Sequence, residues 1–343
     1  MIGIMKNSLK YKKSLTSLAL AAMEAGFKQV VAFTPRDVHL AKRKIHALEF
    51  TPNGWVKRVV PFPSIIYDRG YYTSPEDARM AIRLQSKVPF VGYSMGTKLN
   101  IHRHLKKSKE ISPYLIPTTL MTNIDDVIKA LSENQLILKP VNGWGGRGIY
   151  RLEREDDAHR YTVYQNQEQY ELDEYQVRKK LQVLKHKRYI MQPWLDIRGK
   201  DERIADHRVL IHKDHTGVWN ILGIVTRLGP EGNVTSNVKS GGDLVHTMDY
   251  LTTQFDHSQA EDMYREMEDL SYKIASHLEK SYRRRFFEFG IDFAICRDGS
   301  LKLIEVNIKP GKNILKVTAT QEMREKVFRA SFDYAYHVIN HSR

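Results

Sequence analysis

Near the C-terminus the runs Gly290-Ile-Asp-Phe-Ala-Ile295 and Leu301-Lys-Leu-Ile-Glu-Val-Asn307 flank Asp298-Gly299, a two-residue turn signature. The pattern predicts an antiparallel hairpin, and Ile291, Phe293, Ile304 and Val306 make both of its faces largely apolar. Such a hairpin must be covered on both sides, so the chain needs a layered α/β architecture around it. Asp292 and Glu305 fall on neighbouring strands, and Asn307 shares the face of Glu305 by period two. Two carboxylates and an amide on an apolar surface are costly unless paired or metal-bound. Hard oxygen donors without His or Cys suit Mg²⁺, which makes Asp292, Glu305 and Asn307 candidate metal ligands.

A second constellation is Lys139-Pro-Val-Asn-Gly143-Trp144-Gly145-Gly146-Arg147-Gly148, between the apolar strand ending at Lys139 and the strand-like Ile149–Leu152. Glycines let the backbone approach a ligand closely, and N–H groups in such a loop can lie on anionic oxygens while Lys139 adds a full positive charge. The stretch is neither a P-loop nor a dinucleotide fingerprint, both of which enter a helix. It reads as a tight turn or as a phosphate cradle. Gln192-Pro193-Trp194-Leu195 follows a strand and offers either an adenine-binding wall or a linker with a core tryptophan. Asp206, His207 and Arg208, then Arg227, then Ser236-Asn-Val-Lys239-Ser-Gly-Gly-Asp243 bring basic and small residues to strand ends and loops, as an anion-stabilising site requires.

The chain opens as strand, helix, strand: Ile2–Met5, Ser14–Ala25 and Gln29–Phe33. Glu24 and Gly26 close the apolar stretch behind Lys10–Lys13, so it is read as part of this α/β layer and not as a signal peptide. Asn53-Gly54 predicts another hairpin, and Ser74-Pro75-Glu76 a helix start. Prolines at 113–117 and Pro193-Trp194 suggest boundaries, giving expected domains 1–118, 119–190 and 191–343. Residues 153–187 are charged and glutamine-rich and are expected to be helical. His102 and His104 are expected at the surface.

Residues 1–118 carry 20 Lys+Arg and 7 Asp+Glu, a net +13 out of +14 for the whole chain. That imbalance points either to an acidic partner or to a solvated basic face. Nucleic acid is not expected, because no binding motif appears and aromatics do not interleave with the basic runs. A single cysteine, Cys296, excludes a disulfide framework and suggests a reducing, cytoplasmic setting, and no apolar run is long enough to cross a membrane.

These residues resemble the ATP-grasp superfamily, and more closely its YheC/YheD endospore coat-associated family. The resemblance rests on Lys139…Gly148, on Asp206–Lys213 with Gly217-Val-Trp219, on Ser236–Gly242 and on Ile304-Glu-Val-Asn-Ile-Lys-Pro-Gly311, with Lys98 and Ile116–Thr119 fitting the entry to the ATP-binding half. It implies an N-terminal Rossmann-like lobe and two α+β lobes sandwiching ATP and one or two Mg²⁺ ions, with Mn²⁺ as the substitute. By the same resemblance Lys98, Lys139 and Gly143–Gly148 hold ATP phosphates, Gln192–Leu195 form the adenine hinge, and Asp206 is the ribose-side acid. Arg208, Arg227 and Lys239 would steady the reacting groups. Gln192 departs from the glutamate common at that hinge. The implied activity is ADP-forming carboxylate–amine ligation through an acyl-phosphate, acting in sporulation on a peptide, protein or amino-acid polymer. The implied alternative is a non-catalytic ATP-binding scaffold among spore-coat proteins.

Overall fold

The computed structural model describes residues 1–341 except 144–145, 156–159, 233–235, 237–241 and 313. Among these, the strands form three sheets. The first holds β1 (Ile2–Met5), β2 (Val30–Phe33), β3 (Val38–His39), β4 (Lys44–Thr51), β5 (Gly54–Pro61), β6 (Ile65–Asp68) and β7 (Phe90–Val91) in the order β3-β4-β2-β1-β6-β7, with β5 on β4. β2, β1, β6 and β7 run parallel, and short buried strands such as Val30–Phe33 are apolar throughout because both faces are covered. Helices α1 (Lys12–Glu24) and α2 (Pro75–Gln85) belong to this part of the chain; Ser74 caps α2 and Pro75 takes its first turn. Helix α3 (Lys98–Leu105) is capped by Thr97.

The second sheet contains β8 (Thr119–Leu120), β9 (Leu136–Pro140), β10 (Tyr150–Arg154), β11 (Arg160–Gln165), β12 (Glu168–Asp173) and β13 (Tyr189–Pro193), ordered β12-β11-β10-β9-β13-β8. Helices α4 (Ile124–Glu133) and α5 (Glu174–His186) pack on it around Val127, Leu131, Val177 and Leu181. Among the described residues of the expected 153–187 helix, only the last part, α5, is helical. Tyr161 and Val163 are buried on β11, which pairs along its length with β12.

The third sheet is β16-β15-β14-β17-β18, built from β14 (Ala205–Lys213), β15 (Trp219–Leu228), β16 (Asp243–His246), β17 (Glu288–Ile295) and β18 (Leu301–Asn307). Helices α6 (Thr247–Gln254) and α7 (His257–Tyr282) cover it, and α8 (Leu315–Thr318) precedes α9 (Gln321–His341). Two helices cross the expected boundary at 118. Leu105 of α3 joins Ile274, Leu278 and Phe286 in the core beside the third sheet, whereas Phe332, Tyr334 and Ala335 of α9 join Ile2, Ile4 and Leu15 of the first. The expected boundary at 190 falls inside β13. His102 and His104 are not free surface residues: His102 Nε2 is 3.2 Å from the Ile116 carbonyl, and His104 stacks on Tyr282 and meets Ser281.

Candidate active site

A cavity of about 340 Å³ lies between the second and third sheets. Lys139 and Pro140 at the end of β9, with Gly143, Gly146 and Arg147 of the following loop, line one side. Strands β14, β15, β17 and β18 bring Asp206, Arg208, Arg227, Asp292, Glu305 and Asn307 to the other. Gln192–Leu195 lead out of β13 along the wall, and Lys98 enters from the first turn of α3. Trp144, Gly145 and Lys239 lie outside the described residues.

The loop is short because β9 and β10 pair antiparallel on either side of it, Leu138 opposite Tyr150. Gly148 sits at φ +71°, and a Cβ there would lie 2.9 Å from the Tyr189 hydroxyl, so the turn requires glycine twice over. Within Gln192–Leu195, the Trp194 backbone N–H donates to the Gln135 carbonyl at 2.8 Å and the Arg151 guanidinium stacks 4.9 Å from the Trp194 ring. Gln192 Nε2 donates to Thr118 Oγ1 at 2.7 Å and leaves its buried Oε1 without a partner among the described residues. Thr118 as the partner of Gln192 was missed from sequence, since 74 residues separate them.

The acids are neutralised in place. Asp292, 1% exposed, accepts from Arg208 at 2.6 and 2.5 Å and lies 3.0 Å from Arg227 Nη2. Asp206 accepts two hydrogen bonds from Arg227 at 2.5 and 2.6 Å and another from the Ser236 hydroxyl. These contacts follow from register: Arg208 faces Asp292 across β14 and β17, and Asp206 faces Arg227 across β14 and β15. Asp292 and Glu305 are themselves cross-strand partners, and Asn307 Nδ2 reaches Glu305 Oε1 at 2.9 Å and Asp292 Oδ2 at 3.3 Å.

Lys98 pairs with Glu305. Burial opposes ionisation of Glu305, but the ammonium groups of Lys98 and Lys139 and the Asn307 amide outweigh it and hold the carboxyl below its usual range. Lys139 makes no hydrogen bond or ion pair with any described residue, and desolvation pulls its amine down to about 8 despite the pull of Glu305. Burial also opposes the charge of Arg227, yet Asp206 and Asp292 keep it firmly protonated. Among the described residues no three His, Cys, Asp or Glu side chains group to hold a metal. The oxygen set here is two carboxylates and one amide that touches both. A rotated Asn307 amide would present its oxygen at the same spot, so the three residues suit a small hard cation.

A second ionic cluster joins the first sheet to the third. Lys309 Nζ lies 3.0 Å from Asp68 Oδ2, Arg69 pairs with Glu288 at 2.9 Å, and the Tyr71 hydroxyl donates to the Lys309 carbonyl at 2.5 Å. Tyr71 and Lys309 reach the cavity wall, and Tyr71 is a contribution of the first third that sequence reading did not anticipate.

A family model for YheC/D like ATP-grasp proteins matches residues 87–338. The chain belongs to the YheC/D-like ATP-grasp family. Endospore coat-associated protein YheC of Bacillus subtilis (strain 168) is 26% identical to this ATP-grasp chain over 336 residues, covering 94% of it and 92% of the relative. Among solved structures, the D-cycloserine synthetase DcsG matches with a TM-score of 0.56 at 12% identity, over 97% of this chain and 99% of that one. A Chryseobacterium gregarium RiPP-associated ATP-grasp ligase in complex with ADP and a leader and core peptide matches with a TM-score of 0.50 at 11% identity, over 97% and 95% of the two chains. These likenesses agree with the α+β ATP-grasp fold expected from sequence.

Proposed function

We propose that this ATP-grasp protein is an ADP-forming carboxylate–amine ligase, and the observation that carries the reading is Lys139. A half-buried lysine, without a direct partner among the described residues, stands beside Lys98 and three acids at the mouth of a glycine-rich loop. Its lost hydration is restored by an anion, and the phosphates of ATP are the anion the family fold leads one to expect. The apolar wall of Ile137, Ile149, Leu195 and Ile304 suits an adenine ring. Asp206 is bound so fully by Arg227 and Ser236 that it would serve the ribose side by holding Arg227.

Asp292, Glu305 and Asn307 would hold Mg²⁺, which when bound offsets the negative charge gathered around a transferring phosphoryl group. In the first step a substrate carboxylate oxygen forms a bond to the γ-phosphorus while the bond to the ADP oxygen breaks. An amine nitrogen then attacks the acyl carbon, the carbon–oxygen bond to phosphate breaks, and the nitrogen loses a proton. Lys98 and Lys139 reduce the repulsion between carboxylate and phosphates. Arg208 and Arg227, fixed by Asp292 and Asp206, steady the acyl-phosphate oxygens. Lys239 is proposed to join them in steadying the reacting groups, and the Gly143–Gly148 loop to close over the acyl-phosphate and exclude water. The substrate class proposed is an acidic peptide or amino-acid polymer used in sporulation, supported by the coat association of YheC and by the peptide held in the Chryseobacterium ligase.

Hydroxylamine added with Mg-ATP and a pool of carboxylates tests this reading. Formation of hydroxamate and ADP in equal amounts supports an acyl-phosphate; ADP without hydroxamate from any carboxylate contradicts it. A nucleotide-binding scaffold is the second reading, favoured by the two arginines that already occupy Asp292. It predicts nucleotide binding with no turnover in the same assay.

A further inference from the structure

The β4–β5 hairpin leaves one edge of the first sheet unpartnered among the described residues. β5 pairs with β4 along its whole length, from Lys44 opposite Pro61 to Thr51 opposite Gly54, and with no other described strand. On an edge strand of an antiparallel pair, alternate residues turn their N–H and C=O groups outward. Val56, Lys57, Arg58 and Val59 are four consecutive exposed residues, Val59 at 58%, so both faces of the strand are open at its centre.

The strand is nevertheless anchored at both ends. Val60 is buried with Ile45 and Ala47, and Trp55 packs on Phe50 while its Nε1 donates to Thr16 Oγ1 at 3.0 Å. An extended backbone fixed in this way has already lost the conformational freedom that strand addition would otherwise cost. Its charge is one-sided: residues 40–61 contain Lys42, Arg43, Lys44, Lys57 and Arg58 against the single acid Glu49. That acid is engaged, 3.5 Å from Arg58 and accepting from Gln29 at 2.8 Å.

Charge on an edge repels strands that carry the same sign and selects those of the opposite sign. We infer that β5 is a docking strand for an extended acidic polypeptide, which adds to the sheet by backbone hydrogen bonds and places carboxylates beside Lys57 and Arg58, with Val56 and Val59 receiving its apolar side chains. Nucleic acid has no peptide ladder to offer this edge and would be held by charge alone. The inference does not rest on the ligase reading, because docking is measured without nucleotide.

The test uses the full chain and a fluorescein-labelled twelve-residue peptide of the repeat Val-Glu-Glu-Val, which matches the order of Val56, Lys57, Arg58 and Val59 across both faces of the strand, with binding followed by anisotropy and by amide hydrogen exchange. Docking predicts saturable binding, slowed exchange within residues 54–61, and about tenfold or greater weakening in the double variant K57E/R58E. The same peptide N-methylated at alternate residues keeps its charge and should lose binding to the unaltered protein. Equal binding of the N-methylated peptide, no binding of the parent peptide, or an oligothymidylate bound as tightly as the peptide would each overturn the inference.

Discussion

Lys139 shows how much of this site depends on hydration. Burial holds its amine at about 8, below the unfolded value of 10.5, so the charged form is disfavoured by folding. The folding penalty is therefore present below pH 8 and is relieved as pH rises toward 10.5. Phosphates favour the charged form, so the rise in Tm given by Mg-ATP should shrink as pH is raised from about 7 to about 9. Lys139→Met should leave the nucleotide-free Tm at neutral pH unchanged or higher and abolish that rise, which differential scanning fluorimetry reads directly. Asp292 behaves oppositely. Asp292→Asn deprives two half-buried guanidinium groups of their shared, buried carboxylate and should cost about 3 kcal/mol in urea unfolding. Sequence alone made these residue types legible, because carboxylates on apolar strands and a lysine before a glycine run are anomalous wherever they fold. Which cation meets which acid was not legible: Lys98 and Glu305 are 207 residues apart, and only the packing of α3 against β18 brings them together.

At the scale of elements, β14 does more than carry Asp206 and Arg208. The same strand buries His207, whose Nδ1 lies 2.9 Å from Thr226 Oγ1, and His212. Burial first, then nearby Arg227, lowers His207 to about 3; burial and Lys312 lower His212 to about 4. Both stay neutral in the fold while the unfolded chain takes up protons below about 6.5. Stability should thus fall as pH drops from about 6.5 toward about 4, by about 1.4 kcal/mol per pH unit for each histidine. His207→Gln should remove about half of that slope, measured as urea midpoints across the range. The hairpin β17–β18 and the β9–β10 loop were readable from their turn residues and apolar alternation. Strands β11 and β12 were not, because β12 exposes Glu168, Gln169, Glu171 and Asp173, a composition that charged helices share.

Across the whole molecule, the chain closes on itself where local pattern gives no warning. Helix α9 completes the core of the first sheet, with Phe332 fully buried and in edge contact with Tyr67 at 5.0 Å. Phe332→Ala should cost about 3–5 kcal/mol by chemical denaturation, and a fragment of residues 1–118, lacking α9, should show no cooperative unfolding transition. Sequence reading did not pick out α9, and nothing in its local pattern says which sheet it covers. This return of the C-terminal helix, together with the Lys309–Asp68 and Arg69–Glu288 pairs, ties the basic first sheet to the cavity wall. It gives a physical reason why an acidic substrate gathered by one part would be presented to the other. The decisive measurement is ADP release from Mg-ATP by the purified protein, offered pooled amino acids and acidic peptides, with the double variant D292N/E305Q as the blank. Ligase function predicts ADP release that depends on the added acceptor and disappears in the blank; ADP release that ignores the acceptor, or that persists in D292N/E305Q, would contradict it.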